Sequence, residues 1–157
     1  MKLLPFAAID IGSNAVRLLF SNVLEDGQTA IFKKSSLVRV PVRLGEDAFV
    51  EGKISLKKAE KLVKTMVAFR NLMEVHEVLG YQACATSAMR EASNSAEVVE
   101  LVKRESGIEI QIIDGKREAE IIYSNRIVEM LDDESHYLYV DVGGGSTEIS
   151  LFSNREM

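Results

Sequence analysis

The sequence predicts an α/β fold, and three observations lead to that prediction. The first forty residues contain three segments rich in apolar and β-branched side chains, with short polar turns between them. From residue 55 onward, helical periodicity alternates with short strand-like segments, as in α/β units. The same local unit, an apolar strand followed by an acidic residue and a glycine turn, occurs near both ends of the sequence. This repeat indicates that a second sheet begins where the first domain ends.

The first three segments predict an antiparallel meander. Glycine-containing turns at residues 12–14 and 25–27 are short enough to connect neighbouring strands as hairpins. Residues 39–52 are polar and contain glycine, so they are expected to form an irregular connection to the first helix. The predicted strands cover residues 6–11, 15–23 and 29–40.

Three helices are expected after the meander. The first begins behind the favourable N-cap residue Ser55 and is stopped by Gly80. The second lies between Asn94, which with Glu97 resembles a capping box, and the terminating residue Gly107. The predicted helices cover residues 56–79, 95–106 and 115–131, and the short strands between them cover residues 81–85 and 108–113.

Three antiparallel strands followed by α/β crossovers match the ribonuclease-H-like sheet of the actin, chaperone and sugar-kinase group. Residues 1–131 are expected to form one such domain with the order βββαβαβα. Residues 132–157 are expected to form the first hairpin of a second, similar domain. A bare hairpin is marginally stable alone, so the chain is expected to be a piece of a longer two-domain protein.

The composition argues against several functional classes. Apolar residues make up 46% of the chain and charged residues 27%, which argues against disorder. The net charge of −5 argues against binding to nucleic acid or to an anionic membrane. No secretory signal is visible in the sequence, and no segment approaches the ~20 apolar residues needed to span a bilayer, so neither is expected. The single cysteine, Cys84, is expected to be a small buried residue, and a cytoplasmic location is expected.

The two glycine turns predict a phosphate site. Asp10 precedes the first turn and Asp141 precedes the second. Backbone N–H groups in such turns can converge on an anion, and an aspartate at the strand end can hold a metal ion beside it. The first turn alone is as readily an ordinary hairpin turn with Asp10 as its cap, but three successive glycines weaken a hairpin. Two facing turns would clamp a phosphate chain with Mg²⁺. The predicted phosphate-binding residues in the turns are Gly12, Ser13, Asn14, Gly143, Gly144, Gly145 and Ser146.

Five stretches resemble the exopolyphosphatase and guanosine pentaphosphate phosphatase family, in the order and spacing of that family. The glycine turns alone are shared with actin-like ATPase domains in general. The segment from Thr86 to Arg90 and the Glu118-Ala119 pair separate this family from kinases and chaperones. The five stretches are residues 8–14, 43–45, 85–94, 113–119 and 141–148.

The resemblance implies a hydrolase that removes a terminal phosphate from linear polyphosphate, from guanosine pentaphosphate or from both, with Mg²⁺ or Mn²⁺. It implies a homodimer for the full-length protein, whereas this chain alone is expected to be weakly active or inactive. By position, Glu118 matches the catalytic glutamate, and Asp141 and Glu148 match the carboxylates that serve metal and water, with Asp10 as a further metal ligand. Arg90 matches an arginine that points into the cleft, where it is expected to bind phosphate. The family often has a second glutamate where this chain has Arg117.

Other interpretations stay open from the sequence. Without the motifs around it, Glu118 is more readily an exposed glutamate that complements a helix dipole, and Arg90 is as readily part of a surface ion pair. The alternative functions are an ATP-dependent kinase of the same superfamily and a non-catalytic sensor of phosphate or of the alarmone. A kinase needs an adenosine pocket, which lies largely in the second domain of that superfamily. Retention of Glu118, Asp141 and Glu148 argues against the sensor.

Overall fold

The computed structural model describes residues 2–25, 30–124, 136–145 and 147–153 of the chain. Its strands are β1 (Lys2–Ile11), β2 (Val16–Glu25), β3 (Ala30–Val40), β4 (Gly80–Ala85), β5 (Gln111–Ile112), β6 (His136–Val142) and β7 (Thr147–Ser153). Its helices are α1 (Gly45–Glu51), α2 (Leu56–Val75), α3 (Ser87–Glu91), α4 (Ser95–Ser106) and α5 (Gly115–Ser124). None of the helices in the described ranges is long and apolar enough to cross a membrane.

β1 lies at the centre of a five-stranded sheet with the order β3-β2-β1-β4-β5. The first three strands form the predicted antiparallel meander. β4 and β5 join it in parallel, since α2 and α4 carry the chain back to the same end of the sheet. β6 and β7 form a separate antiparallel pair. The α/β prediction is confirmed, and the division of the chain at residue 131 stays a prediction.

The core fills the space between one face of the sheet and the helices α1 to α4. Alternate residues of the strands point to this face, as the period of two requires. Met66 and Phe69 of α2 pack against them, and both are almost completely buried. The opposite sheet face carries Ala8 and Asp10, which are not buried. Asp10, the candidate metal ligand of β1, is therefore on the face that the core leaves open.

Two helices were not predicted, and one ends earlier than predicted. α1 and α3 lie in segments expected to be irregular. α2 ends at Val75 rather than residue 79, because Glu77 adopts a positive φ of 51° and the Leu79 N–H then bonds to the Pro5 carbonyl. Gly80 consequently starts β4 and does not terminate the helix.

The predicted capping box of α4 is wrong. The Asn94 side chain makes no cap hydrogen bond and instead pairs with both backbone groups of Ile54, at 2.8 Å each. This pairing fastens the start of α4 to the segment before α2. Gly107 ends α4 in the left-handed conformation, as predicted, with a φ of 71°. The strand expected over residues 108–113 is regular only over Gln111–Ile112, and residues 125–131 of the third predicted helix lie outside the described residues.

Candidate active site

The candidate site lies where β1 and β4 end side by side. The Thr86 N–H bonds to the Ile11 carbonyl at 3.3 Å, so the turn after β1 and the segment after β4 are neighbours. The turn between β6 and β7 and the first turn of α5 close the space between them, which forms a cavity of about 180 Å³. We call it the central cavity. The predicted site residues that line it are Asp10, Gly12, Ser13, Asn14, Glu118, Asp141, Gly143 and Gly144.

The first glycine turn is fixed from three directions. Within the turn, the Gly12 N–H bonds to the Ala15 carbonyl at 3.1 Å. The buried Ser13 hydroxyl bonds to the Ser87 hydroxyl at 2.7 Å, which ties the turn to α3. The N–H of Gly45 donates to the Ser13 carbonyl at 2.8 Å. A turn held in this way keeps its N–H groups in place before any anion arrives, which favours binding.

The second glycine turn packs directly on the first. A Cβ on Gly144 would lie 3.4 Å from Cβ of both Ser13 and Asn14. A Cβ on Gly145 would overlap the Phe49 ring of α1. Glycine at position 145 lets the backbone approach this ring closely, and a side chain there would require the Phe49 ring or the turn to shift. The two predicted phosphate turns are therefore in contact beside the central cavity, and their binding of phosphate stays a prediction.

Glu118 enters the cavity from the first turn of α5. The Asp114 side chain starts this helix by accepting a 2.7 Å hydrogen bond from the Arg117 N–H. Arg90 Nη1 donates to Glu118 Oε2 at 2.9 Å and to the Ile113 carbonyl at 2.8 Å. The Arg90 and Glu118 side chains are only 21% and 19% exposed. The pair is thus half-buried and positioned by the end of β5.

Arg90 does not line the central cavity. Besides contacting Glu118, it lines a neighbouring cavity of about 380 Å³ together with Gly145 and Phe49. Its predicted contact with phosphate stays a prediction. Ser146 lies outside the described residues. Glu148 pairs with Asp141 in the β6–β7 register, and its side chain is likewise outside the described part.

The charges in the central cavity favour a metal ion together with an anion. Asp10, Glu118 and Asp141 contribute three carboxylates, and Arg17 contributes one guanidinium, which binds Asp10 Oδ2 at 2.7 Å. A bare phosphate chain would be repelled by this net negative charge. Mg²⁺ in phosphate-transfer sites is commonly held by one or two carboxylates and the substrate itself. Among the described residues, no group of three or more His, Cys, Asp or Glu side chains is placed to hold a metal ion by itself.

Cys84 lines a further cavity, and His76 packs on an aromatic ring. Cys84 lies beside Asp10 in a further cavity and is half-buried, so it is less buried than the expected small buried residue. Partial burial raises the pKa of the Cys84 thiol above its ordinary value. The His76 ring stacks on Phe20 with 4.1 Å between the ring centres.

Sequence reasoning missed five residues at the site. Thr86 and Ser87 begin α3 beside the first turn, and Arg17 pairs with Asp10. Arg43 and Phe49 form the far wall of the turn pair. Thr86, Ser87 and Arg43 lie inside motif segments, which was the available signal. Nothing local marked Phe49 or Arg17, because their roles depend on elements far away in the sequence.

Comparison with known proteins places this arrangement in a family. The profile of the Ppx/GppA phosphatase family matches residues 26–157. Exopolyphosphatase 1 of Mycobacterium tuberculosis is 32% identical over 142 residues, which cover 90% of this chain and 40% of that protein. The Bifunctional 3-dehydroquinate synthase/phosphatase of Fusobacterium nucleatum is 32% identical over 149 residues, 92% of this chain and 22% of that protein.

Solved structures agree with the sequence matches. The Aquifex aeolicus member of the Ppx/GppA family superposes with a TM-score of 0.82 at 28% identity, over 99% of this chain and 49% of that one. An exopolyphosphatase from Cytophaga hutchinsonii gives 0.82 at 29% identity, over 97% and 47%. This chain therefore spans half or less of the length of these relatives. With the family profile matching more than four-fifths of its residues, the chain belongs to the Ppx/GppA phosphatase family.

Proposed function

We propose that the protein hydrolyses the terminal phosphoanhydride bond of a phosphate chain, with linear polyphosphate as the substrate. One observation carries the proposal: Glu118 opens into the same cavity as both glycine turns and the carboxylates Asp10 and Asp141. Hydrolysis of a phosphoanhydride needs a positioned water, a group that takes its proton, and positive charge around the transferred phosphate. In a chain of the Ppx/GppA family, the cavity contains a candidate for the proton acceptor, and carboxylates that would hold a metal ion as the positive charge.

In this mechanism Glu118 orients a water molecule and accepts its proton as the water oxygen attacks the terminal phosphorus. The P–O bond to the next phosphate breaks, and the shortened chain leaves with the bonding electron pair. Arg90 holds Glu118 Oε2, which fixes the direction of the carboxylate. The N–H groups of the two glycine turns hold the terminal phosphate during the attack.

Asp10 and Asp141 are the described residues that would hold Mg²⁺ or Mn²⁺, with Glu148 as a further ligand. The ion would neutralise phosphate charge beside the carboxylates. Guanosine pentaphosphate carries the same terminal bond and is the second substrate that the proposal covers. A homodimer of the full-length protein and a cytoplasmic location belong to the same proposal.

Phosphate release tests the proposal. The protein, in the longest form that its gene encodes, is incubated with polyphosphate, guanosine pentaphosphate or ATP, with Mg²⁺ or with a chelator. We expect release of inorganic phosphate from polyphosphate that stops when the metal is chelated. Transfer of the ATP γ-phosphate to an acceptor would favour the kinase alternative. Tight binding of polyphosphate without any release would favour the sensor.

A further inference from the structure

A second cavity continues from the central one. It measures about 420 Å³ and shares Ser13, Asn14 and Gly144 with the central cavity. Its remaining wall includes Arg43 and Phe49, and we call it the Arg43 cavity. The two cavities therefore adjoin on either side of the contact between the glycine turns, and an anion bound in the central cavity lies next to this one.

The backbone of Arg43 is held in an uncommon conformation. Its φ is 61°, in the left-handed region that costs a side-chain-bearing residue about 1 kcal/mol or more. The Arg43 N–H bonds to the Asn14 carbonyl at 2.9 Å, and the N–H of Gly45 bonds to the Ser13 carbonyl. These hydrogen bonds to the first glycine turn therefore fix the backbone position from which the Arg43 side chain extends.

Arg43 shares its acidic partner, Glu46, with a second cation. Its Nη1 lies 3.3 Å from Glu46 Oε1, and the side chain is 61% exposed. Lys58 Nζ binds the other Glu46 oxygen at 2.6 Å and also donates to the Arg43 carbonyl at 2.6 Å. Lys58, 17% exposed, thus competes with Arg43 for Glu46, and these three residues together carry one positive charge. An exposed guanidinium of this kind suits a phosphate group.

The other cavities beside the central one are less suited to an anion. The cavity that contains Arg90 also contains Glu91, and Arg90 is paired with Glu118. The cavity that contains Cys84 has carboxylates from Asp10, Glu118 and Asp141, and no lysine or arginine lines it. Among the described residues, the positive route out of the site is therefore the one past Arg43.

We propose that the Arg43 cavity is a subsite for the substrate chain, in which Arg43 contacts a phosphate beyond those held in the central cavity. The inference rests on the proposed function and adds a preference for extended phosphate chains over short ones. The glycine turns bind the end of the chain, and Arg43 binds the part that follows. Removal of the Arg43 guanidinium should consequently weaken the binding of long phosphate chains and leave the binding of short ones nearly unchanged.

Binding measurements on the chain test this subsite separately from catalysis. Dissociation constants are measured by calorimetry with Mg²⁺ for tripolyphosphate and for a long polyphosphate. Arg43→Asn removes the charge, and asparagine tolerates the left-handed conformation, so the turn is preserved. Arg43→Lys keeps a positive charge at this position. Arg104→Gln is the matched control, since Arg104 is exposed in the last turn of α4 and pairs with Glu105.

We expect Arg43→Asn to weaken binding of the long chain about three- to tenfold, as for a solvent-exposed charged contact, and tripolyphosphate less than twofold. Arg43→Lys should recover most of the loss, and Arg104→Gln should match the unchanged protein. Equal losses for both chain lengths, or no loss for either, would overturn the subsite. Phosphate release by the unchanged protein is scored separately, so a failure of the proposed reaction is distinguished from a failure of the subsite.

Discussion

Breaking the ion pair between Arg90 and Glu118 should lower the free energy of unfolding by a measurable amount, and this amount can be divided between the two contacts of Arg90. Arg90→Gln removes the 2.9 Å contact with Glu118 and the 2.8 Å contact with the Ile113 carbonyl. Exposed ion pairs contribute about 0.2–1 kcal/mol, and removal of one partner of a fully buried pair costs about 3–5 kcal/mol. Because both side chains are about one-fifth exposed, we expect a coupling of about 1–2 kcal/mol between them, discounted for solvent screening.

A double-mutant cycle isolates this coupling. The free energy of unfolding in urea is measured for the unchanged chain, Arg90→Gln, Glu118→Gln and the double variant. The lost bond to the Ile113 carbonyl occurs in both variants that lack Arg90, so it cancels. Arg90→Gln alone should lower the unfolding free energy by about 1 kcal/mol more than the coupling, because that carbonyl loses its donor. A coupling indistinguishable from zero would contradict the view that Arg90 positions Glu118.

Three further predictions follow from the site and its supports. Ser87→Ala leaves the buried Ser13 hydroxyl without its 2.7 Å partner and should cost about 1–3 kcal/mol in urea unfolding. Gly145→Ala should weaken calorimetric binding of polyphosphate, because its methyl group would overlap the Phe49 ring, and a shift of that ring or of the second turn changes the wall of the adjoining cavities; unchanged affinity would contradict the packing. Partial burial opposes ionisation of Asp47, but the hydrogen bonds from Ser55 outweigh it and hold its pKa below the ordinary 3.8. Its contribution is therefore complete above pH 3.8 and is lost as the pH falls through the folded value, so the destabilisation by Asp47→Asn should shrink in acid.

The meander and the long helix were predictable because their signals are local. β1 and β2 are apolar-rich segments joined by a short turn, and Ser55 caps α2 through a hydrogen bond from the Lys58 N–H. α1 and α3 escaped prediction because they have seven and five residues and no side-chain cap. Periodicity needs more turns than these helices have. Asn94 does not cap α4 because its side chain instead forms hydrogen bonds with both backbone groups of Ile54, forty positions away.

The sequence predicted individual residues of the site but not the contacts between them. The glycine turns and Glu118 were found from motifs, and the structure brings them to one cavity. The attachment of Arg90 to Glu118 depends on how α3 and α5 meet at the end of β5, which no local pattern contains. Arg43 lies in a motif, but the sequence assigned it no role, because its position depends on hydrogen bonds to the first glycine turn.

The most direct test of the proposed hydrolysis is the steady-state kinetics of Glu118→Gln in the longest form of the protein, well below its unfolding temperature. Glu120→Gln is the matched control, because Glu120 pairs with Arg117 at 2.9 Å and does not line the central cavity. Glutamine keeps the size of the side chain but accepts no proton from water, so kcat for polyphosphate should fall about 10²- to 10⁴-fold with KM nearly unchanged. Glu120→Gln should behave as the unchanged protein. Retention of near-normal kcat by Glu118→Gln, or a comparable fall in Glu120→Gln, would contradict the assignment of Glu118 as the base.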